Sequence, residues 1–525
     1  MKQKYWIYQF ENFDFNAFVK KYRELCARTQ IVCEHIEPYI DISFLYPDDK
    51  ELEERERKMK DEVMKSQIET INVVPRKALI SDDKIVCKCA YVMHTVIYRT
   101  SSSKTAQAAI SSQILKQVIG KDYRAILDTM IEMNYIEKVS FLNSPQYLAQ
   151  EYSTHYTLAR DIKIERIYIV NRKIIQYVEK TKKLFKEYYK ANEKQLEKMY
   201  GRTFKNYYIK SLNSFKIENE EGFDNFVNSM QDKSQSEINY YAYIKEYLKN
   251  ERYEIYNIDK SNRIYHIFSN LKRELKSYIN IKFSIDAHNS HPLLFNYFIF
   301  HNYDINAIQS YRIFNYMKTI DIDIDNVATD SRYVGKKLYK ILIDNNIEND
   351  AVMKLHTDEL EYMYMTSKGI LWDFFNQLHP DINRVEVKTQ MFKEVFYSNT
   401  KKIVWKEFAK EFKNKYPHVY KIIERWKEPE KDKCIMEYLR KNDIKLKKMS
   451  SSLPISMMSL ESSIFTDILM SLYKKKIFSI HIHDAIVLPN VENNKNVIIS
   501  DVENIMKETF EKFGLLPTFS IDKYD

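Results

Sequence analysis

Apolar positions recur along this chain with two periods, and the change from one to the other marks out its regions. Ile110, Ile114, Leu115 and Val118 fall on one helical stripe, Gly120-Lys121-Asp122 breaks it, and Tyr123, Ile126, Leu127, Met130 and Ile131 form a second. The spacing predicts two helices joined by a tight turn. Residues 135–139 and 153–158 then read as a two-stranded wing, so residues 101–162 are expected to form a winged-helix-like domain. Such a module docks its second helix in a duplex groove when it binds DNA; the alternative for the same pattern is a packing or protein-contact domain. Upstream, residues 1–100 have no assigned role: a charged run at 48–60 reads as an exposed helix or linker, and residues 85–98 alternate in part like a strand. Residues 163–276 are charged and helical, interrupted near Gly201 and around 218–222, and would serve as a thumb-like basic arm over a nucleic acid.

Residues 277–525 carry two short apolar runs, each containing an acid. Ile477-Phe-Ser-Ile-His-Ile-His-Asp-Ala-Ile-Val-Leu-Pro489 sets Asp484 among β-formers, where an ionised carboxylate must be paired or bind a metal. Ile281-Lys-Phe-Ser-Ile-Asp-Ala-His-Asn-Ser-His-Pro292 repeats the arrangement with Asp286. Two strand-borne aspartates far apart in sequence can meet in one sheet and hold a pair of divalent cations about 3.5 to 4 Å apart, the spacing of two-metal phosphoryl-transfer sites.

With 525 residues the chain is long enough for several domains. Its net charge of +9 is unevenly placed: residues 161–216 hold 15 Lys and Arg against 6 Asp and Glu, and residues 401–449 hold 16 against 8. Lys182, Lys183, Lys186 and Lys190, interleaved with Phe185, Tyr188 and Tyr189, suit phosphate contact and base stacking; a solvated helix face is the alternative. There are six glycines and no GxGxxG or GxxxxGK[ST] segment, so a nucleotide would be held by side chains and metal. The five cysteines show no CxxC pairing, and Cys87, Cys89 and His94, like Cys26, Cys33 and His35, read as core residues rather than zinc ligands. Without a visible signal peptide or an uninterrupted apolar run of 18 residues, a cytoplasmic chain with no membrane span is expected.

Taken in order, the motifs of the carboxyl-terminal half resemble the palm and fingers of family A (polymerase I-like) DNA polymerases and their phage-type single-subunit RNA polymerase relatives. The resemblance covers residues 260–525 and rests on four matches. The segment 262–272 is similar to the one before the first catalytic strand, which implies that Arg263 lies against the primer-template minor groove. Asp286 matches the first metal-binding aspartate. Arg384-Val-Glu-Val-Lys-Thr-Gln-Met-Phe-Lys-Glu-Val-Phe-Tyr397 is similar to the fingers helix R-x3-K-x3-F-x3-Y, with Arg384, Lys388, Phe392 and Phe396 on one face: cations for the triphosphate, aromatics for the incoming base. His483-Asp484 matches the palm-hairpin pair, Asp484 as second metal ligand and His483 near the primer terminus.

The departures are specific. Phe396 stands where the family has tyrosine, with Tyr397 next to it to substitute if the helix register slips. Ala485 replaces a glutamate or serine. His291, five residues after Asp286, holds the position that screens the ribose 2′-hydroxyl. Ser459 and Glu461 lack the family's glutamine pattern, Glu461 reading either as an accessory acid or as helix-packing polarity.

The resemblance implies an α+β right-hand polymerase of palm, fingers and helical thumb-like arm, preceded by the winged-helix-like region. Its activity would be template-directed nucleotidyl transfer with two Mg²⁺ ions, or Mn²⁺, at Asp286 and Asp484. The expected partners are a DNA primer-template or duplex and nucleoside triphosphates, in phage, plasmid or defence biology; RNA is the alternative product or template. Two further readings stay open: an HD-type metal phosphohydrolase, whose His-Asp pair lies on helices, and a noncatalytic winged-helix DNA-binding replication protein.

Overall fold

The computed structural model describes residues 5–35, 81–101, 107–139, 153–158, 164–169, 171–229, 240–241, 244–245, 247–249, 253–322, 333–398, 406–444, 446 and 449–524. The chain divides into two units: residues 1–144, 150–186 and 230–243, and residues 145–149, 187–229 and 244–525. The charged run at 48–60 lies outside the described residues.

In the first unit the described strands are β1 (Tyr5–Phe10), β2 (Ala108–Ser111), β3 (Ile136–Lys138), β4 (Ser153–Leu158) and β5 (Ile164–Ile169). β1 pairs with β5, and the other three form an antiparallel sheet in the order β2-β4-β3. Helices Ser112–Ile119 and Tyr123–Glu132 flank Gly120, whose φ of 85° is the left-handed conformation that favours glycine. Two expectations change here. Residues 85–98 belong to the helix Asp82–Ser101, because Ile85, Cys89, Val92 and Val96, all buried, recur at helical spacing. Ile110 lies on β2, and the helix begins after Ser111, whose hydroxyl accepts from the Ile114 N–H at 3.3 Å.

The Tyr123–Glu132 helix, expected to enter a duplex groove, is instead packed inside its unit. Tyr123, Ile126, Leu127 and Met130 are buried, the helix Phe15–His35 lies along it, and Lys21 meets Glu132 at 3.6 Å. Arg124, Asp128 and Glu132 remain exposed on it, one cation against two acids, which is a poor face for phosphates.

The helix Arg172–Leu212 contributes residues up to 186 to the first unit and the rest to the second. It kinks at Gly201, where φ is 87°, at the interruption expected from the sequence. In the second unit β6 (Asn257–Ile258) and β7 (Ile264–Tyr265) form a short hairpin. β8 (Ile281–Ala287), β9 (Ile480–Ile482), β10 (Ala485–Pro489) and β11 (Phe519–Lys523) make an antiparallel sheet in the order β11-β8-β10-β9. Helices Ser290–Asn302 and Ser452–Lys474 belong to the same core, which is dense in aromatic side chains. Ser452–Lys474 is apolar and long enough to cross a membrane by composition, but 67% of that window is buried inside the protein. The described residues are thus a helix-rich α+β assembly with small sheets.

Candidate active site

β8 is an inner strand, and its apolar residues Ile281, Phe283 and Ile285 are buried. Asp286 near its end faces Ala485 on β10 and Ser520 on β11. Asp484 comes next to this position from the other side, since its carbonyl accepts from the Ala287 N–H at 3.0 Å. The apolar run 477–489, which reads as one strand, is split by a two-residue hairpin turn at His483-Asp484, with His483 in the left-handed region at φ 56°. The turn leaves His483 exposed and Asp484 half-buried, while His481 on β9 is buried, so the two histidines do not share a face as alternation implies. A β-turn at Asp484 also disfavours the HD phosphohydrolase reading, which requires helices there.

The two aspartates are poorly compensated by the chain. Burial, and then the charge of Asp484, pushes the Asp286 carboxyl up to about 7, against the opposing pull of Lys388 and Lys276. Asp286 Oδ1 is buried and has no hydrogen-bond partner. The Asp484 carboxyl is also raised, by burial and then by Glu461, with His291 and Lys388 opposing. Two half-buried carboxylates of this kind fit hard divalent cations, which take one or two protein carboxylates and complete their shell from substrate phosphates and water. Among the described residues no group of three or more His, Cys, Asp or Glu forms a closed metal cage.

Beside this pair lies a network in which Glu461 is bonded through both oxygens, although the Arg263 Nε has no partner. The Arg263 guanidinium donates to Glu461 Oε2 and meets His291 Nε2 at 2.9 Å; Glu461 Oε1 lies 3.2 Å from His291 Nε2 and 3.3 Å from the Ser290 hydroxyl. His291 Nδ1 bonds the Tyr397 hydroxyl. Burial opposes the charge of Glu461, yet Arg263 and then His291 hold its carboxyl far below the ordinary range. At Nε2 His291 meets a guanidinium that can only donate and a carboxylate that can only accept, so its tautomer decides which it bonds.

Tyr397 reaches His291 through a change of helix type. Arg384–Met391 is α-helical, but Phe392–Phe396 forms one π turn, closed by the Tyr397 N–H donating to the Phe392 carbonyl at 2.8 Å. The extra residue rotates Phe396 into the core against Phe295 and Phe412. Tyr397 is brought back over Phe392, ring centroids 5.2 Å apart. Phe396 is therefore a packing residue, and the aromatic pair on the site side is Phe392–Tyr397, with Phe392 edge-on to His291 at 5.8 Å.

Lys388 acts on both aspartates and lies 5.9 Å from the Phe392 ring centroid. Arg384, on the same helix, is half-exposed and paired with Asp373, and its charge acts on His288. Arg263, expected to line a groove, is largely shielded, with 13% of its side chain accessible, and is committed to Glu461. Lys182, Lys183, Lys186 and Lys190 are all exposed, and Lys190 is continued at four-residue intervals by Lys194, Lys198 and Arg202, also exposed. Sequence reasoning missed Lys276 and Asn289. Asn289 is left-handed at φ 51°, precedes the helix Ser290–Asn302 without a side-chain cap bond, and keeps a buried side-chain N–H group without a partner. An Asn just after a strand aspartate, a residue type that tolerates the left-handed conformation, is the one local signal that could have flagged it.

No protein-family model matches the chain, and no curated protein matches it. Among solved structures it is similar to the POL domain of Pol1 from M. smegmatis, determined in complex with DNA primer-template and dNTP, at 10% sequence identity and a TM-score of 0.24. That likeness covers 58% of this chain and spans little more than half, 55%, of the other.

Proposed function

We propose that the chain is a template-directed nucleotidyltransferase that extends a DNA primer on a template. The observation that carries this reading is the pair Asp286, on β8, and Asp484, in the turn that leads into the neighbouring β10, both raised by burial, both within the field of Lys388, with a buried Asp286 oxygen left without a partner. Asp286 and Asp484 would hold Mg²⁺ or Mn²⁺. When bound, the ions supply charge stabilisation for the reacting oxygens of an in-line phosphoryl displacement.

The chain's own residues account for positioning. Lys388 offsets charge on a triphosphate, and the unpartnered Asn289 amide, three residues after Asp286, is a further donor. Phe392 and Tyr397 offer the base a stacking surface. His291, fixed between Tyr397 and Glu461, presents a rigid edge to the sugar, and His483 in the exposed turn meets the primer strand. Arg263 serves as a positioning residue through Glu461 rather than as a groove contact. The exposed lysines of Arg172–Leu212 hold the nucleic-acid backbone. The first unit is a winged-helix-like accessory domain whose second helix serves packing, and the chain works in the cytoplasm.

The test is extension of a labelled primer-template by the full-length chain with Mg²⁺, supplied with deoxynucleotides or ribonucleotides separately. Extension with deoxynucleotides that is absent in Asp484→Asn, with duplex binding retained, is expected. Extension only with ribonucleotides would move the product to RNA. No extension by the folded wild type with either set, or full activity in Asp484→Asn, would overturn the assignment.

A further inference from the structure

A second patch in the larger unit has the chemistry of a nucleic-acid contact and belongs to none of the motifs above. The helix Tyr333–Asp344 is anchored on one side by Val334, Leu338 and Leu342, all buried. Its approach to the helix Thr357–Ser367 is backbone to backbone: a Cβ at Gly335 would stand 1.9 Å from the Thr357 carbonyl oxygen, so this position accepts only glycine. The other side carries Tyr333, 46% exposed, with Lys336, Lys337 and Lys340 exposed as well. These positions are spaced i, i+3, i+4 and i+7, which places them on one helical face. The Lys337 ammonium lies 5.8 Å from the Tyr333 ring centroid. Three lysines stand against one acid on this helix, Asp344.

We propose that this face binds single-stranded nucleic acid, with the lysines on successive phosphates and Tyr333 under an unpaired base. From Tyr333 to Lys340 the helix rises about 10 Å, enough for a short run of phosphates and too little to follow a duplex groove. An exposed ring stacks readily on a base that is not already stacked within a duplex, so the aromatic selects the single strand and the cations supply affinity. The site is defined by binding and does not depend on nucleotidyl transfer.

The experiment is fluorescence anisotropy of a labelled single-stranded oligonucleotide with the full-length chain across a salt series, beside a blunt duplex of the same sequence. Joint replacement Lys336→Gln, Lys337→Gln and Lys340→Gln should reduce the salt slope of log K for the single strand by roughly 2, at about 0.7 per lost phosphate contact. Tyr333→Ala should weaken single-strand binding about tenfold with the slope unchanged, and Tyr333→Trp should retain it. Duplex binding should be the same in all variants. An unchanged single-strand affinity and slope would overturn the proposal, as would equal losses for single strand and duplex, which mark a general charge effect. Preserved single-strand binding with lost binding of poly-glutamate would also overturn it, by reassigning the face to an acidic polypeptide.

Discussion

Glu461 and Asp286 both take a carboxylate out of water in the same unit, and the chain treats them in opposite ways. Around Glu461 it supplies a guanidinium, an imidazole and a hydroxyl, and the carboxyl is held ionised despite burial. Around Asp286 it supplies a second acid, distant lysines and no hydrogen bond for one oxygen, and the carboxyl rises to about 7. A buried charge completed by its own chain is a structural element. One left incomplete is relieved either by taking up a proton, as the raised Asp286 carboxyl shows, or by a cation, which is the role proposed for it above.

That contrast is open to attack by mutation, and the largest effect belongs to the completed site. Glu461→Ala or Arg263→Ala should destabilise the fold by about 3–5 kcal/mol, because each leaves a buried partner uncompensated. Asp286→Asn in the absence of divalent ions should cost nothing or add stability. Urea unfolding checks both, and a comparable loss in Asp286→Asn would erase the distinction.

Activity gives the next effect. Lys388→Ala should reduce nucleotide incorporation by roughly 10- to 100-fold and raise the apparent nucleotide requirement, since a lysine near a triphosphate acts in binding and in the transition state. Primer-template affinity, measured by anisotropy, should change little; its collapse with normal incorporation at saturating duplex would make the helix a nucleic-acid clamp.

A smaller effect follows from protonation. The folded Asp286 carboxyl sits at about 7 against an ordinary 3.8, so between these values the folded state binds the extra proton. Metal-free stability should therefore fall as pH rises from about 4 to about 7 and then level off. Glu359, also raised to about 7 by burial, adds a parallel fall, so the informative quantity is the difference between wild type and Asp286→Asn in chelator. A difference that does not vary with pH would show Asp286 to be ordinary. The smallest effect is Tyr397→Phe, which removes one hydrogen bond to His291 and should cost about 1 kcal/mol by denaturant unfolding.

Asp286 and Asp484 are visible in the sequence because each interrupts a run of β-formers, and a local pattern suffices to find such a residue. The turn at His483-Asp484 is not visible, since apolar neighbours on both sides read as one continuous strand. Nor can periodicity pair Arg263 with Glu461, which are 198 residues apart and meet only through the packing of helix Ser452–Lys474 in the core. The π turn escapes an i+4 pattern by construction: one inserted residue sends Phe396 inward and Tyr397 to the site. Asp82–Ser101 misleads for a related reason, because a helix buried on most sides contains stretches that alternate by chance. Even the two predicted helices of the first unit, present apart from Ile110, which lies on β2, say nothing by themselves about which face another segment covers, and Phe15–His35 covers the second.

The central claim is that Asp286 and Asp484 remain incomplete until a divalent cation joins them, and Mn²⁺ binding measures this most directly. Electron paramagnetic resonance of Mn²⁺ titrated into the full-length chain, with primer-template and a nonhydrolysable nucleotide present, should show bound ion in the wild type. It should show little in Asp286→Asn with Asp484→Asn. Equal binding by wild type and the double variant, with both folded, would contradict the account.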